Sequence, residues 1–301
     1  MRNLHFILSL ALFFISTLCV QAENSISPSV LSNNLEQLRK EYHSARDTLA
    51  EINSSMKQAA KRDSKLSSEQ KLANSQKRSR RWLPAFLKRN SSYEKYLFSL
   101  VNVFAVMPAG NPELEDIQGE LFQQHPKNCK NTLTESYANQ LSLLASAIYP
   151  QLIKESLGKD RAEFFVQITK PTGSIKFEDT LNLLGIQSEP QGWSIQATYS
   201  LSQLRAGNIS AARKENEKLI RKSKKLSKNA TGMNYRKEGD VRSYKSLHRE
   251  FLLHRALIEA AASKKADAKE NLAKAQAMDE NEEIKNEQQP IVQEIKTLLG
   301  V

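Results

Sequence analysis

The chain has 301 residues and a formal net charge of +11, a length that suffices for one or two domains with apolar cores. Glycine (10) and proline (9) are scarce, whereas a many-stranded protein needs such residues at its turns. The composition therefore argues against a sheet protein and favours helices, which Ala, Leu, Lys, Glu and Gln form well.

The first segment in chain order is apolar. Arg2 precedes an apolar run over residues 4–20, which ends in Val20-Gln21-Ala22, small residues of the kind that a signal peptidase accepts. This run is short for a bilayer span, and no other segment approaches about 18 uninterrupted apolar residues. We interpret residues 1–22 as a signal peptide cleaved near Ala22, which predicts a periplasmic or secreted protein. A retained amino-terminal anchor is the alternative.

A heptad pattern occupies the predicted helix over 23–60. Its apolar residues step alternately by four and three, and a 3.5-residue period keeps such residues facing one partner. We expect Leu35, Leu38, Leu49 and Ile52 to carry this contact. Two alternatives stay open: self-association as a coiled coil, or packing against the chain's own helices. The full series is Leu31, Leu35, Leu38, Tyr42, Ala45, Leu49, Ile52, Met56 and Ala59.

Residues 61–91 are predicted to be a basic linker. Residues 61–90 contain ten Lys or Arg against two acids, and Pro84 limits any helix around it to about two turns. Because aromatic residues at a domain entry usually pack, we expect Trp82, Leu83 and Phe86 to dock where the following domain begins.

A second cationic segment, 213–250, contains thirteen Lys or Arg against five acids. Two such segments on an otherwise balanced chain can direct it to an anionic surface. Contact with anionic lipid or a wall polymer is therefore an alternative function. Too few aromatics are spaced for base stacking, which argues against nucleic acid. The residues predicted to make anionic contacts are Arg78, Arg80, Arg81, Arg221, Lys222, Lys224 and Lys225.

Residues 92–190 are predicted to form antiparallel helices. The stretch from Ser92 to Val106 has helical apolar spacing, and a long helix or a pair bent at Pro150 follows. The stretch 161–169 is ambiguous between strand and helix.

The last predicted region, 191–301, has small residues at a characteristic spacing. Ala256 and Ala268 are twelve residues apart across the turn Ser263-Lys264-Lys265, followed by Leu272 and Ala275. This pattern resembles a tetratricopeptide-type helical hairpin, with Ser263 at the usual turn glycine and Glu280 at the usual proline.

An earlier copy has Gly207-Asn208 and Ala212 at matching spacing, although Asn216 occupies a usually apolar position. The resemblance implies an all-α solenoid whose concave surface grips another protein. The predicted fold is thus a long amino-terminal heptad helix followed by antiparallel helical hairpins.

No catalytic constellation stands out. His248 and His254 lie on different faces of a helix, and His125 with Cys129 offers only two of the four ligands that zinc takes. We expect no metal, no cofactor and no catalytic residue. The preferred hypothesis is a non-enzymatic exported scaffold that binds a protein partner. An enzyme with a site assembled from distant residues of 92–190 is a further alternative.

Overall fold

The computed structural model describes residues 28–107, 111–123, 135–153, 158–169, 177–183, 185, 190–229, 235–237, 240–242, 244–278 and 282–301. Within these ranges the fold is helical apart from one pair of three-residue strands, which confirms the all-α prediction. The predicted signal peptide, His125, Cys129 and Glu280 lie outside the described residues.

The helices are α1 (Pro28–Arg62), α2 (Ser68–Val106), α3 (Glu113–Gln123), α4 (Glu135–Ile153), α5 (Lys159–Ile168), α6 (Phe177–Leu183), α7 (Pro190–Arg205), α8 (Ile209–Asn229), α9 (Tyr244–Ala261), α10 (Lys265–Gln276), α11 (Glu282–Glu287) and α12 (Gln289–Leu299). Strands β1 (Tyr235–Lys237) and β2 (Asp240–Arg242) pair antiparallel, with Tyr235 opposite Arg242. The ambiguous stretch 161–169 is helical over nearly all its length.

The chain divides into two compact units. Among the described residues, the amino-terminal unit comprises those up to Ile117, and the carboxy-terminal unit comprises those from Gln118 onward. The division falls inside α3, whereas the sequence placed borders after residues 60, 91 and 190. Region 92–190 is therefore shared between the two units.

The described part of the amino-terminal unit is mainly a long helical hairpin. Helix α1 has 35 residues and begins at Pro28, where proline fits the first turn because it needs no amide donor. Helix α2 has 39 residues and packs antiparallel to α1. Near the turn the Trp82 indole donates to the side chain of Asn53 at 2.9 Å, and further along the rings of Tyr42 and Tyr96 stack at 5.4 Å.

The segment predicted to be a linker is helical instead. A short 3₁₀ turn, Asp63–Lys65, ends α1, and Ser67 starts α2 with a capping box in which Ser67 and Gln70 each accept the other's backbone amide. Helix α2 also continues through Pro84. Because Pro84 lies on an exposed face, water can hydrate the Arg80 carbonyl that its missing amide leaves without a helical donor.

Sequential helix packing organises the carboxy-terminal unit. Helix α7 contacts α4, α5 and α8, while α9 contacts α8, α10 and α12. One cluster of the core joins three of these helices through Trp193 and Ala197 of α7, Leu219 of α8 and Phe251 of α9, all under 4% exposed. Burying an aromatic or leucine side chain contributes roughly 1.5–3 kcal/mol, so this cluster is a major source of the unit's stability.

Arg205, at the end of α7, connects three helices. Its guanidinium makes two hydrogen bonds with the Glu294 carboxylate of α12, at 2.6 and 2.7 Å. It also donates to the Leu152 carbonyl near the end of α4, at 2.7 and 3.1 Å. Paired, charge-assisted bonds of this kind fix orientation as well as adding energy, so Arg205 fixes where α12 lies on the unit.

Candidate binding surfaces

The two predicted hairpins end their first helices in the same turn. Gly207 after α7 and Ser263 after α9 both have positive φ angles, +85° and +60°. The amide of the next residue bonds back to the carbonyl of Gln203 in one turn, at 2.8 Å, and of Glu259 in the other, at 2.9 Å. This geometry ends a helix with a residue in the left-handed region. The two turns are therefore structurally equivalent.

Small side chains lie buried at equivalent positions of both hairpins. Ala212 in α8 and Ala268 in α10 are fully buried and follow their turns at the same distance. Before the turns, Ser200 of α7 corresponds to Ala256 of α9, and both are fully buried. Small residues at these positions let the two helices of a hairpin approach closely.

The departures from the hairpin pattern have structural explanations. Ser263 adopts the positive φ that glycine adopts more readily. Asn216 is fully buried in α8, but its amide donates to the Phe251 carbonyl of α9 at 3.0 Å. A buried amide is tolerated when it has such a partner. Asn216 therefore joins the first hairpin to the second.

A groove lies among α8, α9 and α10 of the carboxy-terminal unit. Its volume is about 490 Å³, which is within the usual size of ligand clefts. Its lining includes both apolar and cationic side chains, a mixture suited to an extended protein segment. The lining residues are Glu217, Ile220, Lys224, His248, Leu252, Arg255, Asn271, Lys274, Ala277 and Met278.

An ion-pair network forms the adjoining wall. The Glu259 carboxylate, 2% exposed, accepts two bonds from Arg213 of α8, at 2.9 and 2.5 Å. Arg255 approaches the same carboxylate at 2.6 Å and also contacts Glu217 at 3.2 Å. Charges this deeply placed require partners. Sequence reasoning missed the network because Arg213 and Glu259 lie 46 residues apart.

A second buried polar cluster joins α4 to α9. The Tyr149 hydroxyl donates to Glu250 and lies 2.9 Å from His254 Nε2. Burial lowers the pKa of His254 to about 4, although the nearby Glu250 carboxylate opposes this shift. His254 is therefore a neutral core residue at ordinary pH. Sequence reasoning set it aside as a metal ligand without predicting this role.

The four heptad residues lie within a single chain's hairpin. Leu35, Leu49 and Ile52 are buried in α1, and Leu38 is half-buried. Because α1 packs along α2, the apolar heptad residues of α1 are covered by the same chain and need no second copy of the protein. This geometry corresponds to the intramolecular alternative.

The seven cations predicted to contact an anionic surface do not act as one group. Arg78 is 21% exposed and pairs with Asp63, whose pKa it lowers by donating a hydrogen bond. Arg80 and Arg81 are exposed on α2. In α8, Arg221 is exposed but pairs with Glu217 at 3.0 Å. The others in α8 are Lys222, half-buried with its pKa lowered by burial, and the exposed Lys224 and Lys225.

Helices long and apolar enough to cross a bilayer are absent from the described ranges. Among the same residues, no group of three or more His, Cys, Asp or Glu is placed to hold a metal ion. Comparison of this chain with protein-family models, with curated proteins and with solved structures finds no match.

Proposed function

We propose that this protein is a non-enzymatic scaffold whose carboxy-terminal unit holds an extended segment of a protein partner. The observation that carries the proposal is the equivalence of the α7–α8 and α9–α10 hairpins, with matching positive-φ turns and matching buried small residues. Stacked helical hairpins of this type generate extended surfaces used for binding proteins.

The groove among α8, α9 and α10 supplies the contact surface. Leu252 and Ile220 line it with apolar groups, while Lys224 and Lys274 line it with cations, and Lys274 also pairs with Glu270 of its own helix. The apolar groups contribute most of the affinity on desolvation, and the charges set orientation. The proposal includes export, for which the amino-terminal sequence is the support.

Site-directed photo-crosslinking tests this function. A photoreactive amino acid replaces Lys274, which lines the groove, or Lys269, which is exposed on the same helix outside the groove. The proposal expects one protein from the exported fraction of the source organism to be captured from position 274 and not from 269. Equal capture from both positions, or none from 274, would argue against it.

Charge reversal then tests the captured partner. The double change Lys224→Glu and Lys274→Glu alters the groove, while Lys265→Glu and Lys269→Glu make the same change on exposed residues outside it. We expect the groove variant to lose about tenfold or more in affinity, with the control within about twofold of the unmodified chain. Equal affinities of the groove variant and the control variant would show that the partner does not contact the groove.

A further inference from the structure

The exposed face of the first half of α2 combines leucines with unpaired cations. Leu72, Leu83 and Leu87 are 61%, 50% and 57% exposed. At about 100° per residue, Leu83 lies about 20° from Leu72 around the helix axis and Leu87 about 40° further on. The three leucines therefore form one stripe, on the side of α2 that α1 leaves uncovered.

Cations border this stripe. Arg80 falls about 20° beyond Leu87 around the helix axis, whereas the exposed Lys88 and Arg81 lie about 100° and 120° beyond Leu87, at the far edge of the exposed side of α2. Within the described residues, none of these three cations is recorded in an ion pair. By contrast, Arg78, on the side facing α1, forms an ion pair with Asp63. The leucine–arginine face is defined here as Leu72, Arg80, Arg81, Leu83, Leu87 and Lys88.

The continuity of α2 gives this face its length. A helix interrupted at Pro84 would separate Leu87 and Lys88 from the leucines and arginines that precede the proline. The observed helix extends unbroken from Ser68 beyond residue 95, a stretch of about 40 Å. The leucines and cations are therefore held in one fixed arrangement.

We propose that the leucine–arginine face docks this protein on a bilayer that carries anionic lipid headgroups. Exposed leucines gain free energy by leaving water for the acyl boundary, while the arginines and lysine contact the headgroups. Residues 61–90 carry ten Lys or Arg against two acids, which supplies the charge complementarity. This inference is independent of the groove in the carboxy-terminal unit.

The same structure disfavours two other anionic partners. Base stacking on single-stranded nucleic acid needs free aromatic faces. Trp82 instead stacks on Phe86 at 4.6 Å and donates to Asn53 of α1. A soluble polyanion would use the cations, but it gives the exposed leucines no apolar environment to enter. A bilayer satisfies both halves of the face.

Vesicle sedimentation of the full chain provides the test. Vesicles of phosphatidylcholine with phosphatidylglycerol are compared with vesicles of phosphatidylcholine alone, at two salt concentrations. We expect the chain to partition at least about tenfold more strongly onto the anionic vesicles at low salt, with most of this preference lost at high salt. Any contribution from the apolar residues 4–20 is common to all variants and does not depend on the substitutions below.

Two pairs of matched variants separate the two halves of the face. Leu83→Gln with Leu87→Gln removes the apolar half, and Leu298→Gln, at a residue 42% exposed in α12, is its control. Arg80→Gln with Arg81→Gln removes two cations, and Lys264→Gln with Lys265→Gln, exposed at the α9–α10 turn, is its control. We expect each α2 variant to lose about tenfold in partitioning, with the controls unchanged. Circular dichroism checks that helix content is retained.

Three results would overturn the proposal. If the leucine variant partitions like the unmodified chain, the cations alone account for binding and the bilayer interior plays no part. If the chain binds phosphatidylcholine vesicles as well as anionic vesicles, charge plays no part. A control variant losing as much as its α2 counterpart would show that the contact is not confined to this face.

Discussion

The two hairpins of the carboxy-terminal unit have the same backbone turn but differ in the partners of their buried polar side chains. In α7–α8, Ser200 donates to the Ala212 carbonyl at 2.9 Å and Gln203 to the Tyr199 hydroxyl at 2.8 Å. At the equivalent positions of α9–α10 stand Ala256 and Glu259. At these two positions the first hairpin uses neutral hydrogen bonds inside itself.

The second hairpin depends on its neighbour. Glu259, at the position equivalent to Gln203, accepts two hydrogen bonds from Arg213 of α8, and the backbone carbonyl of Phe251 accepts a hydrogen bond from the amide of Asn216. Charge-assisted bonds between elements are strong but leave a costly buried charge if either partner is removed. The comparison predicts that the second hairpin is more sensitive to charge changes than the first.

The largest expected loss of stability comes from disrupting the close packing of α9 against α10 in the second hairpin. Ala268→Glu places an unpaired carboxylate at a fully buried position, and we expect a loss of about 4 kcal/mol or more, enough to unfold α10. Thermal melting followed by circular dichroism measures it. Lys269→Glu, one residue further on and exposed, is the control. An unchanged melting temperature for the Ala268 variant would refute the packing of this hairpin.

The next effect is a pH dependence confined to the second hairpin. His254 corresponds to Thr198 of α7, which is fully buried and bonds the Ser194 carbonyl. Because the folded pKa of His254, about 4, lies below the value of about 6.5 in unfolded chains, the unfolded state takes up more protons as the pH falls. Stability is therefore fully present above pH about 6.5 and lost between there and pH about 4, by about 3 kcal/mol.

Chemical denaturation at several pH values tests this dependence. Carboxylates elsewhere also titrate in acid, so the informative quantity is the difference between the unmodified chain and His254→Thr, which installs the residue of the first hairpin. We expect the unmodified chain to lose about 3 kcal/mol more than the variant between pH 7 and pH 4. Parallel pH profiles would show that His254 is not held neutral in the core.

A smaller effect is expected from the ion pair between the hairpins. Glu259→Gln installs the residue found at position 203 and leaves Arg213 and Arg255 without their shared carboxylate. Both arginines are partly exposed, so water screens some of the loss, and we expect about 2 kcal/mol by urea denaturation. Gln203→Ala, the equivalent site without a charge, should lose only about 1 kcal/mol. Equal losses at both sites would contradict the difference drawn between the hairpins.

The sequence allowed the local features of these hairpins to be predicted, and the reason is physical. Helix periodicity and small-residue spacing depend on near neighbours along the chain. The pairing of Arg205 with Glu294, 89 residues apart, depends on the tertiary fold and has no local signal. Pro84 misled the prediction of a linker because a proline interrupts a helix less when its face is exposed, and exposure is itself a tertiary property.

The smallest predicted effect distinguishes the turns themselves. Ser263 holds φ at +60° and Gly207 at +85°, a region where a side chain other than glycine costs about 1 kcal/mol. Since nothing lies within 4 Å of a Cβ added at Gly207, Gly207→Ala changes backbone strain alone and should destabilise the unit by about 1 kcal/mol. Ser263→Gly should act in the opposite direction, by about 0.5 kcal/mol, because greater chain entropy in the unfolded state offsets part of the relief. Opposite shifts in the denaturation midpoint therefore establish that the two turns are equivalent, whereas shifts of the same sign would show that one of these residues does not adopt the left-handed conformation in solution.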